Sequence, residues 1–365
     1  MSAARTGERE PALIRIGIIG SNFGRLVHLP AFRRDSRCEV VALAGRDATR
    51  ARELATAAGI PLAFGDWREL VEHPEIDAVV IATLPSLQPD IAVRALELGK
   101  PVFAEKPLAA DVPGAERMVR AADVSRRTTM VDFNFCGVPT WRKARELLRE
   151  GTVGRLRHVA VTWQVENYAT RMRIKSWKSS GDAGGGALGN FVSHCFHYLE
   201  WFCGPITGLS TRLSGLPDDP AMETNAHIGL AFQSGAAGHI AMSCASYLGS
   251  GHRLEFYGED GTLTLVNETA DYMRGFRLRA SRRPAGTLIP IEVDDPLDCE
   301  FPADGRIAPV SRMAAAFLDS IETGQPTSIA FAEGLRVQAL LEAARRANHL
   351  GRWLDLEPAR MEKGL

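Results

Sequence analysis

Apolar residues follow two different rhythms along this chain. From residue 14 to residue 133, short unbroken apolar runs alternate with stretches of helical spacing. The runs Ile14–Ile19, Val40–Ala44, Asp77–Thr83, Pro101–Ala104 and Thr128–Phe133 read as strands, and their unalternating, largely β-branched character suits burial on both faces. Helices fall between them: one carrying Leu26, Leu29, Ala31 and Phe32, then Ala48–Ala58 closed by Gly59, a short helix capped by Asp66, Ile91–Leu98 closed by Gly99, and Val112–Ala122. Strands alternating with helices through short connections predict a parallel, doubly wound sheet. Past Asn134 the rhythm changes. An amphipathic helix, Trp141–Glu150, is followed mainly by strands: His158–Gln164, Ile206–Leu213, Ala226–Phe232, Ala237–Ser243, Arg253–Tyr257 and Thr262–Val266. One helix, Ala187–Phe202, interrupts them, and Ser311–Glu322 and Ala332–Asn348 close the chain. The expectation is a polar, disordered tail at 1–12, a nucleotide-binding α/β domain at 13–133, and an α+β domain at 134–365 with a large, mostly antiparallel open sheet. The late helices are free to pack back onto the first domain.

The turn after the first strand reads Gly20-Ser21-Asn22-Phe23-Gly24-Arg25. Strand, glycine turn, helix and strand form the unit that seats a pyrophosphate on backbone N–H groups at a helix N-terminus. The spacing departs from G-x-G-x-x-G, with Asn22 at the second glycine, Arg25 at the third and Gly24 one place early. Asn tolerates left-handed backbone better than other side chains, so the turn survives. At the end of the second strand an NAD site commonly carries Asp or Glu. Here Gly45-Arg46-Asp47 stands, with Arg50 one turn on. A small residue followed by a guanidinium leaves room for a 2′-phosphate and a planar fork to hold it. NADP(H) is therefore favoured over NAD(H); the competing reading makes Arg46 and Arg50 solvated surface charges. Ligands of such sheets sit beyond the strand C-termini. That gathers Gly20, Asn22, Phe23, Gly24, Arg46, Arg50, Thr83, Leu84, Pro85, Gln88, Glu105, Lys106 and Asn134 as candidate cofactor contacts.

The balance of 43 basic against 44 acidic residues argues against a nucleic-acid binder. No apolar stretch reaches the ~20 residues of a membrane helix, and Met1–Pro11 has no apolar centre like that of a secretory signal. Six scattered cysteines without a Cys-x-x-Cys pair suit reduced thiols, so a cytoplasmic setting is expected.

Glu105-Lys106-Pro107, and Gly184-Gly185-Gly186-Ala187-Leu188 with His194 beyond it, resemble the Gfo/Idh/MocA oxidoreductases, the glucose–fructose oxidoreductase and inositol dehydrogenase group. The similarity runs from Ile14 to Leu354 and includes Ala95–Pro101, Gly151-Thr152-Val153-Gly154 and Tyr257–Thr262. It implies NAD(P)-linked oxidation or reduction of sugars, cyclitols or related polyols, and oligomerisation through the second domain's sheet as a homodimer or homotetramer. It also implies that Lys106 lies where nicotinamide meets substrate and that His194 is the acid–base group; Pro107, next after Lys106, is expected in the cis form and fixes the turn that aims the lysine. The family's usual Asp four residues before that histidine is here Asn190, which can orient a hydroxyl or His194 but carries no proton. His197 replaces a later Asp. Gln88 stands where many members have His and Cys136 where many have Arg, so an anionic sugar acid is not favoured. Trp177 matches an aromatic position near the cofactor. Trp163 and Tyr168 offer ring faces as a substrate wall, with core packing as the alternative, and Glu166–Lys178 reads as a flap or solvated loop.

The expected protein is an NADP(H)-dependent oxidoreductase with Lys106, His194 and Asn190 at its centre and a small-molecule substrate. His194, His197 and Glu200 at spacings of three drift around a helix, so no metal is expected. Two rivals remain: a catalytically altered nucleotide-binding sensor or partner protein, and a redox-cycling glycoside- or imine-processing enzyme with tightly held cofactor.

Overall fold

The computed structural model describes residues 13–179 and 184–357; the expected tail at 1–12 lies outside the described residues. Six strands make the first sheet: β1 (Ile14–Ile19), β2 (Cys38–Ala44), β3 (Leu62–Phe64), β4 (Ala78–Ile81), β5 (Val102–Ala104) and β6 (Thr129–Val131). They lie in the order β3-β2-β1-β4-β5-β6, every pair parallel. The apolar runs predicted β1, β2, β4, β5 and β6. β3 escaped notice because its three residues are only half-buried and carry no β-branched side chain.

Between the strands run α1 (Leu29–Arg33), α2 (Ala48–Ala57), α3 (Trp67–Glu72), α4 (Gln88–Glu97) and α5 (Val112–Ser125). A widened, π-type turn, Gly24–His28, precedes α1. Asp47, Asp66 and Asp111 accept the N–H groups of Arg50, Arg68 and Gly114 at the starts of α2, α3 and α5. Each such cap contributes about 1 kcal/mol.

After α6 (Pro139–Arg149) comes β7 (Leu156–Gln164), then α7 (Tyr168–Arg171) and α8 (Ser193–Cys203), the latter preceded by a second π-type turn, Leu188–Val192. The remaining strands are β8 (Ile206–Leu216), β9 (Asp219–Phe232), β10 (Ala237–Ser243), β11 (Gly251–Gly258), β12 (Gly261–Asn267), β13 (Arg277–Arg282), β14 (Ile289–Ile291) and β15 (Leu354–Asp355). They form one sheet ordered β14-β13-β12-β11-β7-β10-β9-β8-β15, in which only β7 and β10 are parallel. β9 begins at Asp219 rather than at the expected Ala226, and its early half pairs with β8 alone. β13 went unread because Arg277 and Arg279 alternate with Leu278 and Ala280, a pattern that reads as surface until one face is known to be covered.

α9 (Ile307–Thr323) returns to the first sheet and α10 (Phe331–Leu350) lies against both α5 and β8. The fully buried Phe317 of α9 meets Phe103 at 5.6 Å and Phe32 at 6.4 Å, both edge-on, and those two rings meet each other at 5.5 Å. Phe317→Ala is expected to destabilise the protein by about 3–5 kcal/mol. Urea unfolding checks this, and a loss below about 1 kcal/mol would mean that α9 does not brace the first sheet.

Candidate active site

Gly20 ends β1 with φ 131°, a region side chains avoid, and a Cβ there would lie 2.2 Å from the Ala82 carbonyl oxygen. A Cβ on Gly24 would meet Ile18 Cγ2 at 2.7 Å. The two glycines bring the helix start down onto β1 and β4. Among the described residues, the N–H groups of Asn22, Phe23 and Gly24 have no backbone partner, so the turn fits a bound pyrophosphate. At the end of β2, Ser21 Oγ lies 3.7 Å from where a Gly45 Cβ would stand. Arg46 beside it is exposed, whereas Arg50 pairs with Glu53 at 3.1 Å. At the end of β4, Thr83 is half-buried, Leu84 is exposed and Pro85 is buried.

Beyond β5 stands the turn Glu105-Lys106-Pro107, with the Lys106–Pro107 peptide cis as expected. Gln88 is wholly buried, and its amide nitrogen donates to the carbonyls of Pro107 at 2.7 Å, Glu105 at 3.0 Å and Leu108 at 3.3 Å. This corrects its expected place as a cofactor contact: it braces the turn from behind. Lys106 Nζ donates to the Asn190 carbonyl at 2.9 Å, tying the end of the first sheet to the segment that leads into α8. Burial, with the charge of Lys178 in support and Glu105 opposed, brings the Lys106 ammonium down to about 8.

The glycine run is sterically required. A Cβ on Gly185 would lie 1.9 Å from the Trp177 carbonyl oxygen, and one on Gly186 (φ 71°) 2.5 Å from Glu223 Oε1. Glu223 accepts the Leu188 N–H at 2.8 Å, and Arg345 donates to its other oxygen at 3.1 Å. A carboxylate thus anchors the N-terminal end of the helical segment that carries His194. Asn190 donates its amide hydrogens to the carbonyls of Lys178 and Gly186. It therefore clasps the half-buried Trp177 segment and leaves only Oδ1 for a ligand; no bond to His194 is formed.

His194 is buried with Nδ1 unpartnered, edge-on to Phe135 at 5.1 Å and Phe133 at 6.2 Å. Burial, then Lys106, His197 and His252, hold it well below the usual imidazole range, so it is neutral. His197 stacks on Phe133 at 4.1 Å with its Nδ1 3.9 Å from Cys136 Sγ, and burial pushes it down to about 3. Glu200 is taken by Arg336 at 2.7 Å. Trp163 is 2% exposed and stacked on His252 at 4.1 Å, which corrects its expected place in a substrate wall: it is core. Tyr168 is 63% exposed on α7. Asn134 is buried with Oδ1 unpartnered.

Residues 14–133 match a family described as "Oxidoreductase family, NAD-binding Rossmann fold", and residues 141–264 match "GFO/IDH/MocA C-terminal domain". An uncharacterized oxidoreductase of Synechocystis sp. is 31% identical over 357 residues, covering 93% of this chain and 95% of that one. The chain belongs to the Gfo/Idh/MocA oxidoreductase family. It is an NAD-binding oxidoreductase of the dehydrogenase type. Levoglucosan dehydrogenase of Pseudarthrobacter phenanthrenivorans is 29% identical over 57% of this chain and 56% of its own. A levoglucosan dehydrogenase structure in complex with NADH shares the fold with a TM-score of 0.83 at 22% identity, covering 95% of this chain and 100% of that one. An NAD binding oxidoreductase from Klebsiella pneumoniae has a TM-score of 0.83 at 27% identity over the same shares.

This Gfo/Idh/MocA member also holds a buried cluster that its sequence does not announce. His28 Nε2 lies 3.0 Å from Glu105 Oε1 and 3.2 Å from Asp132 Oδ2. Phe23 and Phe103 pack edge-on to the imidazole at 5.2 and 5.5 Å. Burial works against a charge on His28, but the hydrogen bond to Asp132 and the adjacent Glu105 carboxylate prevail and raise it to about 9. Burial and the neighbouring Glu105 push Asp132 up to about 7. Tyr272 and Arg306 complete the surroundings, Arg306 lying over the Phe23 ring. These residues are brought together only by the fold, so no local spacing signals them.

Proposed function

We propose that this oxidoreductase uses NADP(H) in preference to NAD(H) and acts on a hydroxyl or carbonyl carbon of a sugar-like or cyclic polyol-derived substrate. The hydrogen bond from Lys106 Nζ to the Asn190 carbonyl carries the reading, because it puts an ammonium beside the helical segment that presents a neutral His194. When bound, the nicotinamide supplies or takes the hydride. Lys106 donates a hydrogen bond to the reacting oxygen and stabilises its developing negative charge. His194 takes the hydroxyl proton in oxidation and returns it in reduction. Asn190 Oδ1 orients a substrate hydroxyl. The N–H groups of Asn22, Phe23 and Gly24 hold the pyrophosphate, and Arg46 with Ser21 takes the 2′-phosphate. Thr83, Leu84, Pro85, Asn134 and Trp177 border the cofactor, and His197 and Tyr168 the substrate.

The names of several relatives support a ring-borne hydroxyl or ketone: levoglucosan dehydrogenase, trans-1,2-dihydrobenzene-1,2-diol dehydrogenase of Xenopus tropicalis, and dTDP-3,4-didehydro-2,6-dideoxy-alpha-D-glucose 3-reductase of Actinomadura kijaniata. Residues 13–133 form the nucleotide domain in this reading, and residues 134–365 the substrate and oligomerisation domain. Copies associate as a homodimer or homotetramer through the second sheet, whose β8–β10 region bears a depression of about 610 Å³ beside Arg212, His227, His239 and Trp353. No helix among the described residues is long and apolar enough to cross a membrane, and six unpaired cysteines support a cytoplasmic setting.

Arg46→Ala is expected to weaken NADP(H) binding by roughly tenfold to a hundredfold while leaving NAD(H) within about twofold; titration calorimetry measures both, and an equal loss for the two rejects the 2′-phosphate role. Lys106→Met and His194→Ala should each lower kcat by at least about a hundredfold with nucleotide affinity nearly unchanged. Normal turnover of cyclic polyols in both variants would place the active site elsewhere. Light scattering should report a mass of two or four chains, and a monomer at micromolar concentration would refute the association.

A further inference from the structure

We infer that Asp132 is a positioning residue whose carboxyl, closing a buried cluster with His28 and Glu105 beside Lys106, sets how strongly the crevice favours oxidised over reduced cofactor. The inference rests on the reading of that crevice as the nicotinamide site. Strand register brings the carboxyls together. Ala104 of β5 pairs with Val131 of β6, and the Asp132 N–H donates to the Ala104 carbonyl at 2.9 Å. Glu105 and Asp132 therefore stand side by side where the two strands end. The imidazole of His28, entering from the first helix, reaches both. Asp132 and His28 are fully buried and Glu105 nearly so.

Two ionised carboxylates and one imidazolium sum to a single negative charge. With a proton on Asp132 the cluster is neutral. Oxidised nicotinamide is a cationic ring and reduced nicotinamide is neutral, while both carry the same phosphates. A negative charge beside Lys106 therefore favours the oxidised form selectively, and the protonated cluster does not. Asp132 has the means to change state near neutrality, since burial and Glu105 push it up to about 7.

The titratable groups that face it are His28 from the first helix, Glu105 and Lys106 from the end of β5, and the neutral phenol of Tyr272 from the segment before β13; Asp304 and Arg306, ahead of α9, surround that phenol. Over pH 5.5 to 7.5, Lys106, with its value of about 8, and His28, with about 9, stay predominantly protonated. The arginine keeps its charge throughout. Asp132 is left as the cluster member that titrates inside the window.

The test is the ratio of dissociation constants for oxidised and reduced NADP, measured by titration calorimetry and nicotinamide fluorescence from pH 5.5 to 7.5. In the natural protein the ratio should shift toward the oxidised form by roughly tenfold as pH rises, the effect of one buried charge. Asp132→Asn keeps the shape of the side chain without its proton equilibrium. Its ratio should stay flat at the value the natural protein shows at pH 5.5, with reduced-cofactor binding within about threefold as evidence that the fold is intact. A purely structural Asp132 would change both affinities together and leave the pH dependence in place, which overturns the inference. A ratio constant with pH in the natural protein overturns it whether or not the variant folds. Failure of either nucleotide to bind the natural protein would instead sink the proposed function along with it.

Discussion

The architecture of the site depends on one hydrogen bond between two otherwise separate pieces of chain. Lys106 sits where β5 ends, and its ammonium reaches the Asn190 carbonyl just ahead of α8. Holding a cation in so dry a place is unfavourable unless dipoles and opposite charge surround it. The carbonyl supplies a dipole on one side, and Glu105 supplies charge on the other. Gln88 fixes the turn by donating to the carbonyls of Glu105, Pro107 and Leu108. On the far side, Glu223 and Arg345 hold the start of the helical segment, so the Asn190 carbonyl has a defined place to meet the lysine. Loosening either support would leave the ammonium and the imidazole in separate parts of the molecule.

The buried histidines around this point divide into two electrostatic classes. His28 lies between two carboxylates and is charged, while His194, His197 and His252 lie among aromatic rings and are neutral. Their contributions to stability run in opposite directions with pH. The raised value of His28 contributes stability that is present below about 6.5 and lost as pH climbs through about 9. His197 and His252, pushed down to about 3, stay neutral in the folded state while the unfolded chain takes up protons below about 6.5, so they weaken the fold as pH drops through that window. Asp132, raised to about 7, contributes below about 4 and loses its contribution on passing 7. The same polar and apolar partition that prepares the site thus makes the fold favour conditions near neutrality.

Features written locally in the sequence were legible. The glycine turn after β1, the Glu105-Lys106-Pro107 turn and the Gly184–Gly186 run each have a backbone conformation that few other residues tolerate, and so leave a mark in composition. Burial on both faces made the first sheet readable for a similar reason. What could not be read were partnerships across the fold. His28, Glu105 and Asp132 come from three different elements, and Glu223 meets Arg345 across 122 positions. Gln88 and Trp163 show the reverse case. Each residue type suits a ligand contact, but Gln88 turns its amide into the protein's own carbonyls and Trp163 stacks on His252.

Asn190 shows why a departure from the family's usual Asp need not mean lost chemistry. Its amide gives hydrogens to two carbonyls, those of Lys178 and Gly186. A carboxylate has no hydrogen to give, and placed there it would oppose both oxygens at contact distance. It would also set a second negative charge near Lys106, whose ammonium is already balanced by Glu105. The amide therefore docks the Trp177–Ser179 segment onto the glycine run without altering the charge around the lysine. In the proposed function, the exchange of Asp for Asn gives this position the task of holding the segment beside the crevice, and proton transfer is assigned to the neutral imidazole one turn along.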